Sequence, residues 1–286
     1  MVRLGIAVIG TLVAMSGSEP ARAQQKWQTV PTPPPMPSPV RSGYAPVNGI
    51  EMYYATYGKG DPVLLIPIGA ADADMWSVEI SPLSAHHMVI VADSRGHGRS
   101  TRTSAPYSYS LMASDYLGLL DYLKVDRAAL VGASDGAIIG LDIAIHHPDR
   151  LTKLFAQGAN ATLDGLNQAA ADPAASDMAS KLWQADYRRM SRTPDQYQAF
   201  HKALDAMWNR EPNYSRAQLA GITVPTAIVI ADHDEWVKAD HAHYLARTIP
   251  GAQVIVLHDV SHYAALQDPG AYAKAVLQFL DGAATH

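Results

Sequence analysis

Gly132-Ala133-Ser134-Asp135-Gly136 lies between an apolar run, Ala128 to Val131, and a helix-like run, Ala137 to His146. The five letters are G-x-S-x-G, and their setting is strand, turn, helix. A serine on a sharp turn at that junction has its hydroxyl pushed out beyond the sheet. The turn brings two backbones so close that small residues are required two positions before and after the serine. Gly132 and Gly136 occupy those positions. The context favours a nucleophile over an ordinary glycine-rich turn.

Working outward from the turn, apolar strands alternate with helical patterns. Val63 to Ile66 and Met88 to Ala92 are short continuous apolar runs, as in strands covered on both faces. Ile50 to Tyr57 alternates between the turns Asn48-Gly49 and Gly58-Lys59-Gly60. Helical spacing marks Trp76 to Ala85, Leu111 to Leu123, Ala239 to Thr248 and Ala271 to Leu280, while Leu151 to Ala156, Pro225 to Ala231 and Gln253 to Leu257 read as strands. This alternation predicts an α/β fold: a mostly parallel central sheet with helices on both faces. About 159–221 no strand pattern occurs, and Met178 to Met190 and Pro194 to Trp208 read as helices. That stretch is expected to form a helical cap over the sheet's C-terminal edge, where ligands bind in open α/β sheets.

The ends of the chain bound what the protein can be. Met1-Val2-Arg3, the apolar stretch Leu4 to Met15 and Ala21-Arg22-Ala23 form an export signal over residues 1–23, with Gln24 as the expected mature start. An uncleaved anchor is the alternative. A bacterial periplasmic or secreted protein with no stable membrane anchor after cleavage is expected. Residues 24–43 read as a proline-rich tether, since Pro31 to Pro39 can form neither a helix nor an interior strand. The main domain is expected over residues 44–286. The chain has 286 residues, 48% of them hydrophobic, enough for a full core. A formal net charge of -5 and the lack of a basic block argue against a nucleic-acid partner. With no cysteine, disulfides, thiolate metal sites and a cysteine nucleophile are excluded.

A serine nucleophile needs a base, and the base needs an orienting group. Of 12 histidines, His262 lies just after the last strand, on a loop able to reach the turn at Ser134. His233 and His258 are the alternatives. His241 and His243 stand two apart on one helix and share no face, so they do not make a metal pair. The acid is sought in Asp232-His233-Asp234-Glu235, after another strand. Asp234 sits furthest into the loop after Asp232. Asp232 suits a loop-bracing role, and Glu235 is expected to be solvated. The order Ser134, Asp234, His262 is one of the known orders for such a triad.

From about residue 44 onward the chain resembles the α/β-hydrolases of the single-domain, capped type. Asp93-Ser94-Arg95-Gly96-His97-Gly98-Arg99-Ser100 resembles the family's D-x-R-G-x-G-x-S loop, where Asp93 and Arg95 are expected to brace the loop. Asp232-His233-Asp234 resembles its G-x-x-D acid loop, with Ala231 for the glycine and the match falling on Asp234. Ser261-His262 through Pro269 resembles its G-H-x-x-x-x-E-x-P stretch, with Ser261 and Gln267 as departures. Where the family has His-Gly after its third strand, this chain has Pro67-Ile68-Gly69-Ala70. The resemblance implies an oxyanion hole from the backbone N–H groups of Ala70 and Asp135, with Gly69 as the alternative to Ala70.

It further implies a serine hydrolase, without metal or organic cofactor, acting on a small to medium carboxylic ester or lactone through an acyl-enzyme. A carbon–carbon bond hydrolase or acyltransferase on the same triad, or a non-catalytic ligand-binding member, is the alternative. Asp135 is read as a helix-start acid rather than a specificity group. Met178, Leu182 and Met190 share a helix face and are expected to pack the cap. Trp183, Tyr187 and Trp208 are the candidates for the pocket wall. No oligomeric state is assigned.

Overall fold

The computed structural model describes residues 25–167 and 173–282. The expected export signal, residues 1–23, lies outside the described residues. The strands are β1 (Arg41–Val47), β2 (Ile50–Tyr57), β3 (Pro62–Ile66), β4 (Met88–Ala92), β5 (Ala128–Ala133), β6 (Leu151–Gln157), β7 (Thr226–Ala231) and β8 (Gln253–Leu257). The helices are α1 (Ser77–Ser84), α2 (Tyr109–Leu123), α3 (Asp135–His146), α4 (Pro173–Met190), α5 (Tyr197–Trp208), α6 (Arg216–Ala220), α7 (Ala239–Thr248), α8 (Ala264–Gln267) and α9 (Pro269–Asp281).

One sheet carries all eight strands in the order β1-β2-β4-β3-β5-β6-β7-β8. β1, β2 and β4 pair antiparallel, and every later pairing is parallel. Side chains alternate across the sheet. Leu64, Ile66, Leu130 and Leu154 enter one buried layer with residues of α2, α3 and α7. Val63, Leu65, Val131 and Phe155 enter the other with residues of α1 and α9. Both faces are therefore covered, which is why these strands read as unbroken apolar runs.

Pairing aligns the strand ends. Ile66 stands opposite Gly132, Ala133 opposite Gln157, and Ala231 opposite Leu257. The segments that leave the sheet after β3, β5, β6, β7 and β8 thus start from one edge. Between β6 and β7 the chain forms α4, α5 and α6. Tyr197, Phe200, Leu204 and Met207 of α5 are buried at helical spacing and join the core layer that contains Ile138. The buried stripe of α4 is Ala175, Ala179, Trp183 and Tyr187, four apart. The sequence reading put that face on Met178, Leu182 and Met190; these three are only half-buried. An alanine stripe lets α4 approach closely, and the two aromatic rings fill the space beyond it.

The N-terminal segment also differs from a tether. A 3-10 turn, Lys26–Gln28, precedes an irregular stretch from which Val30 and Met36 pack onto the core. β1 begins at Arg41, inside the expected tether, and pairs with β2 through the turn Asn48-Gly49. Both turn residues have positive φ, 44° and 77°, as a two-residue hairpin requires. Among the described residues, no helix is long and apolar enough to cross a membrane.

Candidate active site

Ser134 connects β5 to α3 with φ 52° and ψ −116°, a conformation that non-glycine residues rarely hold. Strain of this kind costs about 1–3 kcal/mol and persists only where the surroundings impose it. Here the Ser134 N–H donates to the Gln157 carbonyl at 2.8 Å, and the Ser134 carbonyl accepts from Ala137 N and Ile138 N at 2.8 and 3.0 Å. The flanking glycines are required sterically. A Cβ on Gly132 would come within 2.5 Å of Ala137 N, and one on Gly136 within 2.7 Å of the Ile66 carbonyl carbon.

Two loops deliver the partners. Asp234 follows β7, and its Oδ1 accepts from the N–H groups of Trp236 and Val237 at 3.0 and 2.8 Å. His262 follows β8, and its Nδ1 lies 3.0 and 2.9 Å from Asp234 Oδ1 and Oδ2. An ionised carboxylate only accepts, so Nδ1 carries the proton and Nε2 is left as the basic nitrogen. The two side chains are 1% and 4% exposed, so water does not dilute the pairing. Burial pulls the His262 pKa down, but the Asp234 charge and hydrogen bond outweigh it, and the net shift is upward.

Glu235, expected in solvent, is 4% exposed. Its Oε2 accepts from the His262 backbone N–H at 3.1 Å, and its Oε1 accepts from the Ser176 hydroxyl at 3.4 Å. Burial raises its pKa, with the facing His262 pulling the other way. Sequence reasoning missed it because three acids within four residues look solvated, and only the fold shows that Glu235 turns inward beside Asp234. Gly158, at φ +62°, forms the floor below the imidazole; a Cβ there would stand 2.8 Å from His262 Cε1. Asp232 accepts from Asp259 N at 3.2 Å and lies 3.3 Å from His258 Nδ1, so it braces the loops.

The other histidines have different partners. His233 stacks on Trp27, and His241 Nε2 accepts from Ala161 N at 3.0 Å. The Asp93–Ser100 loop is braced as expected. Arg95 grips Asp115 with two 2.6 Å hydrogen bonds, and Asp93 accepts from Ala73 N, Arg99 N and Arg99 Nε. Among the described residues, Asp232, His233 and Asp259 form the one group of three or more that could hold a metal ion; all three are exposed, and none lines the cavity that holds Ser134.

Ser134 and His262 line one cavity of about 430 Å³, between the sheet edge and the cap. Ala70 and Asp135 line it too. Ala70 has φ +65°, in a turn where Ala71 N donates to the Ile68 carbonyl at 3.2 Å. Asp135 is the first residue of α3, so its N–H has no acceptor within the helix.

The Asp135 carboxylate is more than a helix-start acid. It is buried, accepts from the Tyr109 hydroxyl at 2.7 Å, and accepts from Trp208 Nε1 of the cap at 3.1 and 2.9 Å. Burial raises its pKa, partly countered by these two neutral donors. Gly69 lies against it, since a Cβ there would overlap the carboxylate and sit 2.7 Å from Trp208 Cζ2.

Of the three aromatic residues read as pocket candidates, Trp183 and Trp208 line the cavity and Tyr187 does not. Its ring stacks on Phe200 at 4.7 Å, and its hydroxyl pairs with Thr193 Oγ1 at 2.9 Å. Tyr187 lies one turn beyond Trp183 on the same helix, where the stripe has passed from the cavity into the cap's own packing. Tyr109, His201 and Asp205 line the cavity without any local signal in the sequence.

A serine elbow on a mostly parallel sheet, with an acid and a histidine arriving from later strand ends, defines the α/β-hydrolases. The chain has that fold, and the α/β hydrolase fold model matches residues 61–200. A RutD protein of Azorhizobium caulinodans, assigned as a carbamate hydrolase, is 29% identical over 257 residues, covering 82% of this chain and 97% of that one. Among solved structures, the enol-lactonase from Burkholderia xenovorans LB400 superposes with a TM-score of 0.67 at 26% identity, over 84% of this chain and 100% of that one. Est816, an N-acyl homoserine lactone degrading enzyme, gives 0.68 at 26% identity, over 83% and 100%. This chain, like these relatives, is a hydrolase.

Proposed function

We propose that the protein hydrolyses a small to medium carboxylic ester or lactone through an acyl-enzyme on Ser134. The observation that carries this reading is the His262–Asp234 pair at 2.9 Å, beside a cavity that Ser134 and His262 both line. As Ser134 Oγ attacks the carbonyl carbon, His262 Nε2 takes its proton. Asp234 holds the tautomer and stabilises the imidazolium. The N–H groups of Ala70 and Asp135 bind the oxygen that gains charge. His262 passes the proton to the departing alkoxide. Water, deprotonated by the same nitrogen, then releases the acid and restores the serine. The lactone-cleaving neighbours support the substrate class.

Charge narrows the substrate further. Among the described residues that line the cavity none is Lys or Arg, whereas Asp135, Asp205 and Glu211 are there. A carboxylate-bearing substrate meets like charge there, so neutral or cationic esters are favoured. Turnover of a p-nitrophenyl ester and its hemisuccinate analogue, with and without a serine-directed phosphonate, tests both points. Neither turnover nor labelling would leave a ligand-binding role. Equal rates on both esters would reject the charge argument.

Independently, the signal-like pattern of residues 1–23 supports export to a bacterial periplasm or the medium. N-terminal sequencing of the exported protein should begin at Gln24; a start at Met1 rejects it.

A further inference from the structure

The histidine stretch of this chain departs from the pattern it resembles at Ser261 and at Gln267, and the two departures touch each other. Gln267 Oε1 accepts from the Ser261 N–H at 2.6 Å, and Gln267 Nε2 donates to Ser261 Oγ at 2.9 Å. The same Nε2 also donates to two backbone carbonyls of the N-terminal segment, Thr29 at 2.8 Å and Trp27 at 3.3 Å. A glutamate at this position could still accept from Ser261 N. It could not donate to those carbonyls, and its charge would face three oxygen atoms. The amide is the side chain that joins the residue before His262 to the N-terminal segment, and it does so almost fully buried.

The segment has two more anchors in the same neighbourhood. Lys26 Nζ pairs with Asp268, next to Gln267, at 2.6 Å. The Trp27 indole stacks flat on His233, ring centres 3.8 Å apart and planes 8° from parallel. His233 sits between Asp232 and Asp234. Between them, Lys26, Trp27 and Thr29 therefore touch both the loop that presents Asp234 and the stretch that presents His262.

We propose that residues 26–29 are a positioning strap for the acid–base pair, with Gln267 as the positioning residue through which the strap holds His262. The functional weight of the strap rests on His262 being the general base. No part of it touches substrate; it acts by fixing the relative placement of two loops, where displacements of an ångström are costly in rate.

The test uses Gln267→Glu and Trp27→Ala in the otherwise intact protein, assayed well below the melting temperature of each. Four quantities are read: trypsin cleavage after Lys26, kcat and KM on a neutral ester, and the downfield Nδ1–H proton resonance of His262. Cleavage should accelerate about tenfold or more in both variants, because local release exposes the bond. The kcat should fall about tenfold with KM within about twofold, and the His262 resonance should broaden. The double variant should be no slower than Gln267→Glu alone, since both changes release one strap.

Faster cleavage with unchanged kcat and an unchanged resonance overturns the proposal. So does a lowered kcat while Lys26 stays protected, which makes Gln267 a local prop for Ser261. Trp27 is half-buried at the surface, so its variant keeps the test decisive if Gln267→Glu does not fold. Absence of ester turnover in the parent protein refutes the hydrolase chemistry instead, and cleavage and the proton resonance still decide whether the strap holds the loops.

Discussion

Ser134 has a buried carboxylate system on either side, and the two are held in opposite ways. Asp234 takes hydrogen bonds from two backbone N–H groups of its own loop and faces an imidazole that can share its charge. Asp135 takes its side-chain hydrogen bonds from two neutral donors, one on the core helix α2 and one on the cap helix α5. In the first system the loop's own backbone supplies donors, and the partner histidine gains basicity from the carboxylate it faces. In the second the donors come from separate elements, and ionisation is disfavoured by burial. The first arrangement suits proton transfer. The second ties the cap to the elbow and puts a carboxyl group at the cavity wall.

The comparison breaks first at the serine. Ser134→Ala should lower kcat/KM for esters about 10⁴-fold or more, measured by initial rates and by loss of phosphonate labelling. Retention of either would remove Ser134 from the chemistry. Next in size is Asp234→Asn, which keeps the shape but donates where it should accept. The imidazole then takes the wrong tautomer, and kcat should drop about 10³–10⁴-fold.

The pH profile separates the two sides without mutation. Because His262 is raised above its ordinary value of 6.5, and only its neutral form accepts the serine proton, activity should climb with pH along a limb whose midpoint lies above 6.5. A midpoint at or below that value would show that Asp234 does not govern the base.

The Asp135 side should give smaller and different effects. Asp135→Asn is expected to leave kcat on a neutral ester within about threefold while improving the hemisuccinate ester about tenfold in kcat/KM. The sign of its stability effect follows from the raised pKa. A carboxyl that is harder to ionise folded than unfolded loses stability as pH rises through those values, so at neutral pH its charge costs stability. The melting temperature of Asp135→Asn should therefore be unchanged or higher at pH 7, and a fall of several degrees would contradict this. Smallest of all, Trp208→Phe should raise KM about two- to fivefold with kcat nearly unchanged, because it removes the cap's hydrogen bond to Asp135.

Much of the sheet was legible because strands covered on both faces read as unbroken apolar runs, and the elbow because its glycines answer a steric demand visible in the letters. β1 was obscured by Gly43 and Pro46. Proline argues against a strand unless that strand is an edge, and edge position is a property of the finished sheet. On α4 the helix was legible but its phase was not. Met178, Leu182 and Met190 look like a core face, yet small Ala175 and Ala179 set the approach distance and carry Trp183 inward. Glu235 and Tyr109 reach the site only through contacts between elements far apart in sequence. No local pattern encodes them.

The N-terminal segment has a consequence for how the molecule is made. Lys26 meets Asp268 across 242 positions, and Thr29 meets Gln267 across 238. These are among the longest loops the chain can close, and long-range closures come late because their entropy must be met before contact rewards it. The first described segment to leave the ribosome thus waits for nearly the last. An incompletely synthesised or C-terminally clipped chain lacks the surface on which that segment docks, and with it the histidine loop. Completion of the polypeptide and assembly of the His262–Asp234 pair become the same event.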